Sequence, residues 1–231
     1  MCGQINGNSG DSFIAASPAE VLTGGRTLDL DALLYTIRAS DRNKKLYISV
    51  MDYIPQSTYS DETLDGSVVF FRDLNDAIIE SMMAKNVTVS LLVSNWKDGR
   101  VKNERMWTQL EALQTLGRAC STKLGDCGEL NVRVFSMVGF DETESTMAVG
   151  DATFPANSRV AHGKFIVAEG KRANIGTSNM AFGYFKGGVA GASFNTDDAE
   201  VVAGLERIFE RDWESSYSQD LDAWMTATNG H

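Results

Sequence analysis

Between Ala161 and Asn179 the chain reads AHGKFIVAEGKRANIGTSN, and four of its side chains, His162, Lys164, Thr177 and Asn179, suit the chemistry of a phosphate group. A phosphodiester resists attack because its oxygens repel nucleophiles. Its cleavage needs a placed nucleophile, cationic neutralisation and an acid for the leaving group. A neutral imidazole such as that of His162 can attack phosphorus at ordinary pH and leave again. Lys164, the Asn179 amide and the Thr177 hydroxyl would hold the non-bridging oxygens through charge-assisted and neutral hydrogen bonds. Each such donor is typically worth roughly 2.7–4 kcal/mol in the transition state. A lone histidine on a strand is ordinarily a satisfied structural residue, and by itself that reading would win; only a match of several positions to a known motif reverses it. The only other histidine is His231, and no Cys-x-x-Cys pair accompanies either, which argues against a metal site.

For these side chains to meet, the stretch must fold as a hairpin. His162 and Lys164 are two apart and would share one face of a strand. Residues 165–168 continue as a buried run, Gly170 permits a turn, residues 173–175 return, and Gly176-Thr177-Ser178-Asn179 brings Asn179 back beside His162 and Lys164. Around this hairpin, residues 12–16 read as a first strand, and Thr27 as the cap of a helix carrying Leu30, Leu33, Leu34 and Ile37. Residues 46–51 read as a central strand. Tyr53 follows its C-terminal end, where open α/β sheets place ligands, and is expected to touch substrate. Residues 68–84 form a helix with Phe71, Leu74, Ile78 and Met82 on one face, and residues 87–93 a strand covered on both sides. A helix bearing Met106, Trp107, Leu110, Leu113 and Leu116 and a strand over 131–138 come next, then an acidic, irregular loop over 139–155. Residues 189–194 read as a strand, and Asp197 or Asp198 as the cap of a helix bearing Val201, Leu205, Ile208 and Phe209. The domain is expected over 11–222, with a disordered leader or linker remnant at 1–10 and a frayed tail at 223–231.

The spacing His-x-Lys, four residues, an acid, six residues, Gly-Thr-x-Asn resembles the HKD motif of the phospholipase D superfamily. Glu169 stands where Asp is usual and Thr177 where Ser is usual. With Phe182, Tyr184 and Phe185, these departures resemble the second motif of the eukaryotic phospholipase D3/D4 branch, which also includes poxvirus envelope and nicking proteins. Gly25-Arg26-Thr27, Asp29-Leu30, the VMDYIP stretch at 50–55 and IFERDWESSYSQDL at 208–221 resemble further landmarks of that branch's C-terminal half. The resemblance implies an α/β fold with a central mixed β-sheet flanked by helices, one half of a two-motif pseudo-dimer. It implies a phosphodiesterase working without metal or other cofactor through a phosphohistidine on His162, with Glu169 in a supporting role paired to Lys171 or Arg172. It further implies a phosphodiester substrate, either single-stranded nucleic acid cleaved from the 5′ end or phospholipid, and an endomembrane-lumen or lysosomal setting. The branch mechanism uses two motifs, one histidine attacking and the other protonating the leaving group. This chain carries one, so three readings stand: an N-terminal HKD half is its partner, two copies form a homodimer, or the protein is a catalytically inactive, peripherally membrane-associated interaction protein. A carboxylate orienting the histidine is absent from 184–196, leaving Asp197, Asp198 or the partner half for that task.

With 231 residues, 43% of them hydrophobic, the chain can bury a sizeable core in one domain. Its formal net charge of −10 argues against a generic basic nucleic-acid binder. Any polyanion must be met locally, and Lys97, Arg100, Lys102 and Arg105 form the best basic patch, with Trp96 as a platform for a base. A solvated loop is the plainer reading of that patch. No signal peptide or membrane-spanning run is visible. Cys120 and Cys127 flank a short loop and are open to two readings, a local disulfide or two free thiols. The sequon Asn86-Val87-Thr88 abuts a buried strand and is read as unused.

Overall fold

The structure, a computed structural model, describes residues 11–18, 25–57, 67–96, 104–124, 127–138, 146–155 and 159–229. Eight strands make one mixed sheet in the order β1-β11-β9-β8-β2-β4-β5-β12. Its parallel block consists of β2 (Lys45–Val50), β4 (Thr88–Ser94) and β5 (Leu130–Phe135). An antiparallel block, β8 (Phe165–Ala168), β9 (Arg172–Gly176), β11 (Gly191–Thr196) and β1 (Ser12–Ser17), joins it along β2. β12 (Ser218–Asp220) closes the far edge against β5. Two short pairs lie outside this sheet, β3 (Tyr53–Ile54) with β10 (Met180–Ala181), and β6 (Thr146–Val149) with β7 (Ala152–Pro155).

Alternation along the strands builds two cores. Leu46, Ile48 and Val50 of β2, Val89, Leu91 and Val93 of β4, and Ile166 of β8 face one side, where α1 (Asp29–Arg38), α2 (Asp73–Lys85), α3 (Glu104–Leu124), the single-turn α4 (Phe182–Phe185) and α6 (Leu221–Asn229) pack. Tyr47, Leu92, Phe165 and Val167 face the other side and meet α5 (Ala199–Glu214). Asp198 caps α5 by accepting the N–H groups of Glu200 at 3.0 Å and Val201 at 3.1 Å. The helix buries Val202 and Phe209, with Leu205 and Trp213 packed alongside, so the sheet-facing stripe lies one position round from the expected Val201 and Ile208. Ile208 stays 40% exposed, which turns it towards the site described below.

Several expectations are corrected. The N-cap of α1 is Leu28, with no side-chain cap bond, so Thr27 does not cap it. Residues 68–70 precede α2 and are exposed. Part of the supposed irregular loop is the β6–β7 hairpin. The supposed frayed tail is helix α6, docked by Trp224 on Trp107 with ring centroids 4.3 Å apart. Of the two readings left open for Cys120 and Cys127, the structure has the disulfide. Asn86 ends α2 in the left-handed conformation at φ 54° and donates its side-chain N–H to Asn43 Oδ1 at 2.8 Å. Among the described residues no helix is long and apolar enough to cross a membrane.

Candidate active site

The ends of β2 and β4 and the start of β8 lie on the same sheet edge because β8 runs against β2. His162 and Lys164 sit on the approach to β8 rather than within it, so the strand argument for a shared face does not hold. His162 is exposed, whereas Lys164 is buried and its ammonium donates to the His162 carbonyl oxygen at 2.9 Å. The loop is thus held by its own cation. The β8–β9 hairpin forms as expected, and the Gly176 N–H donates to the Lys164 carbonyl at 2.9 Å, which brings the 176–179 turn alongside.

Two buried carboxylates grip that turn. Ser178 Oγ donates to Asp29 Oδ2 at 2.7 Å at the start of α1. Asn179 Nδ2 donates to Asp52 Oδ2 at 3.1 Å and to the Tyr184 hydroxyl at 3.3 Å. Asp52 Oδ1 accepts the indole N–H of Trp96 at 2.9 Å, and the Asp52 carbonyl accepts the Met180 N–H at 3.0 Å where β3 meets β10. The turn packs so closely on β11 that a Cβ at Gly191 would collide with the Ser178 hydroxyl and come within 3.1 Å of Thr177 Oγ1.

The electrostatics follow from burial. Desolvation, seconded by the charge of Lys164, holds the His162 imidazole below its ordinary value and favours its neutral form. Burial pushes Lys164 down against the pull of Asp52. It pushes Asp52 up, against the Trp96 hydrogen bond and the Lys164 charge. A cavity of about 260 Å³ opens beside His162, lined by the ends of β2, β4 and β5 and by Ile208 and Arg211 of α5. An imidazole whose neutral form is favoured, at the mouth of a cavity and on a loop held by a buried ammonium, is an arrangement able to attack an anionic ester.

A family model described as "PLD3/4, PLD-like domain" matches residues 2–139. The chain belongs to the phospholipase D superfamily. Among curated phospholipase D relatives it is 31% identical over 218 residues to a probable phospholipase D of Caenorhabditis elegans, covering 94% of this chain and 35% of that protein. It is 33% identical over 221 residues to the virion nicking-joining enzyme of vaccinia virus, covering 94% and 45%. It is 31% identical over 222 residues to the 5'-3' exonuclease PLD3 of Macaca fascicularis, covering 95% and 40%. The chain therefore spans less than half the length of these relatives. In fold it is similar to NucT from Helicobacter pylori, with a TM-score of 0.54 and 13% identity, covering 90% of this chain and 98% of that one.

Within this phospholipase D-like unit the expected site residues have separate fates. His162, Lys164, Thr177 and Asn179 gather at one sheet edge, although the Thr177 hydroxyl is engaged with the Ala192 backbone, accepting its N–H at 2.9 Å. Both Asn179 N–H groups are engaged by Asp52 and Tyr184. Tyr53 is fully buried, donates its hydroxyl to Asn75 at 2.6 Å and does not line the cavity. Trp96 is half-buried and tied to Asp52. Lys97, Arg100 and Lys102 lie outside the described residues, as does the side chain of Arg105. Glu169 pairs with neither Lys171 nor Arg172. It accepts the Lys45 N–H at 2.8 Å and sits 3.6 Å from the Lys44 ammonium, while Lys171 pairs with Asp41 and Arg172 with Asp197. Asp197 and Asp198 are thereby occupied with the ion pair and the helix cap. Two residues the site reading passed over are Asp52, in the VMDYIP stretch, and Arg211, whose guanidinium pairs with Asp212 at the cavity rim. Among the described residues no cluster of His, Cys, Asp and Glu is arranged to hold a metal ion.

Proposed function

We propose that this chain supplies one half of a phospholipase D-type phosphodiesterase site. In this scheme a nitrogen of His162 attacks phosphorus, the new P–N bond forming as the bond to the leaving oxygen breaks. That oxygen takes a proton from a second histidine, supplied by an N-terminal HKD half or a second copy of the chain. Water, or an alcohol in a transfer reaction, then breaks the phosphohistidine and returns His162. Lys164 and Asn179 hold the non-bridging oxygens, Thr177 joins them by turning its hydroxyl proton away from the Ala192 carbonyl at 3.3 Å, and the scheme calls on no metal. The observation that carries the reading is the buried Lys164 whose ammonium holds the His162 backbone, on the same edge as the Asn179 turn.

Single-stranded nucleic acid is the first substrate class, supported by relatives named as an exonuclease and a nicking-joining enzyme. Phospholipid is the second, supported by the relative named a probable phospholipase D. The Cys120–Cys127 disulfide supports an oxidising setting such as an endomembrane lumen.

The direct test is phosphohistidine trapping and turnover with a chromogenic phosphodiester, comparing wild type with His162→Ala, alongside a size measurement in solution. With the second histidine present, from an N-terminal HKD half or from a second copy, wild type should trap and turn over, and His162→Ala should do neither. An active strict monomer would contradict the two-histidine scheme, and a demonstrated dimer that neither traps nor turns over would favour an inactive interaction protein. Oligonucleotide and phospholipid assays run side by side over about pH 5–7.5 assign the substrate class, since the site's acid–base groups set the working pH. Cleavage of lipid alone would overturn the preference for nucleic acid.

A further inference from the structure

Asp52 is an unusual residue to find where it sits. It is 8% exposed at the end of a central strand, in a segment otherwise apolar, and burying a carboxylate there is costly unless its oxygens are partnered. Both are: Oδ1 takes the Trp96 indole and Oδ2 the Asn179 amide. Its main chain serves the same purpose, because its carbonyl accepts the Met180 N–H next to Asn179. The β3–β10 pairing, Met180 opposite Tyr53, fixes that contact in register. Side chain and backbone of one residue therefore clamp the end of the 176–179 turn. The opposite charge that acts on Asp52 is the buried ammonium of Lys164.

The Asn179 amide shows what the clamp is for. Its Oδ1 is buried without a hydrogen-bond partner among the described residues, and its two N–H groups go to Asp52 and to the Tyr184 hydroxyl. Of these two acceptors, the neutral phenol at 3.3 Å is held more loosely than the carboxylate at 3.1 Å, and Tyr184 is only partly buried. An entering phosphate oxygen can displace the phenol and take over that N–H while the carboxylate keeps the other, so the amide plane does not rotate.

Building on the phosphodiesterase reading, we propose that Asp52 is the positioning residue of the site, holding one N–H of Asn179 so that the other is presented to the substrate phosphate, and balancing the buried charge of Lys164. It touches no reacting atom. Its effect is transmitted through Asn179 and Lys164, in the way that groups behind a first ligand orient it.

The test compares wild type with Asp52→Asn, which keeps the size and one acceptor but loses the charge. On a chromogenic phosphodiester, kcat should fall roughly 10- to 100-fold with KM little changed, the usual range for losing such a supporting partner. The alkaline limb of the pH profile should move to lower pH, because Lys164 loses the anion that favours its charged form. A merely structural role would leave that limb in place. Because the variant can be unstable, a measurement on wild type accompanies it. In proton–nitrogen spectra of the full chain, the Asn179 side-chain amide and the Trp96 indole should titrate together on acidification, with one shared midpoint, as Asp52 takes up its proton. Independent titration, or none, overturns the proposal. So does an unchanged kcat in Asp52→Asn while wild type is active. A wild type that shows neither turnover nor phosphohistidine when the second half is present overturns the enzymatic reading and this proposal with it, which the kinetics of wild type alone distinguish.

Discussion

Ser178 occupies the position of the Gly-Thr-x-Asn stretch that carries no expected chemistry, and Ser178→Ala is nonetheless expected to be costly. Its hydroxyl donates at 2.7 Å to Asp29, and the two residues are 6% and 2% exposed. Alanine removes the donor and leaves a buried carboxylate oxygen with nothing from that side. Hydrogen bonds to charged groups are typically worth about 1.5–3 kcal/mol. Asp29 retains one compensation, since it sits in the first turn of α1 and faces the positive end of that helix. This places the loss in the lower part of the range. For a domain of this size each kcal/mol lowers Tm by about 2–4 °C, so a drop of about 3–12 °C is expected, nearer the lower figure. Thermal melts of Ser178→Ala, Asp29→Asn and the double variant measure it. The double variant should be less destabilised than the sum of the singles, by about 0.5–3 kcal/mol. A Tm within about 1 °C of wild type, or strictly additive losses, would refute the reasoning.

Two further outcomes follow from the site. His162 should titrate below the ordinary imidazole value of about 6.5, and Lys164→Met should raise its midpoint by removing one of the two causes of the depression. In the window between the two values the unfolded chain binds the proton more readily, so stability rises with pH there and is lost on acidification. Proton spectra read this cleanly, because a His231→Gln variant leaves a single imidazole signal, and a midpoint at or above the ordinary value would contradict the account. Tyr53→Phe should destabilise the fold by about 1 kcal/mol through loss of the 2.6 Å bond to Asn75, while leaving phosphodiester turnover at the wild-type level. A selective loss of turnover would restore Tyr53 as a substrate contact.

Most of the sheet was legible in the sequence because its strands are short apolar runs separated by amphipathic helices. The β8–β9 hairpin was legible for the same reason, with Gly170 at φ 64° supplying the turn between two buried runs. What escaped depends on non-local partners. The helix at 221–229 looks like a tail until Trp107 of α3 is placed beneath Trp224. Glu169 looks destined for its neighbours Lys171 and Arg172, but β8 pairs with β2 in a register that sets it beside Lys45. Asp52 and Tyr53 follow the same strand, and which of them meets the site is decided by the pleat at the β3–β10 contact. A slip of one residue there would exchange them. Arg211 reaches the cavity because Ile208, Arg211 and Asp212 share the helix face beside the one that buries Phe209, a phase the apolar pattern alone left one position off.

The outermost strand of the antiparallel block has a consequence for biosynthesis. Ser12 of β1 bonds to Thr196 of β11 across 184 residues, and β11 is the neighbour that flanks the Asn179 turn. At roughly 5–20 residues per second of translation, β1 waits about 10–40 s for its partner to emerge from the ribosome. During that interval it presents an unsatisfied backbone edge, with Ile14 ready to adhere to any exposed strand. The edge that carries His162 and the Asn179 turn cannot assemble until β11 has been made, so nascent-chain chaperones have a long window in which to act, and a ribosome stall before residue 191 leaves a polypeptide with strands but no site.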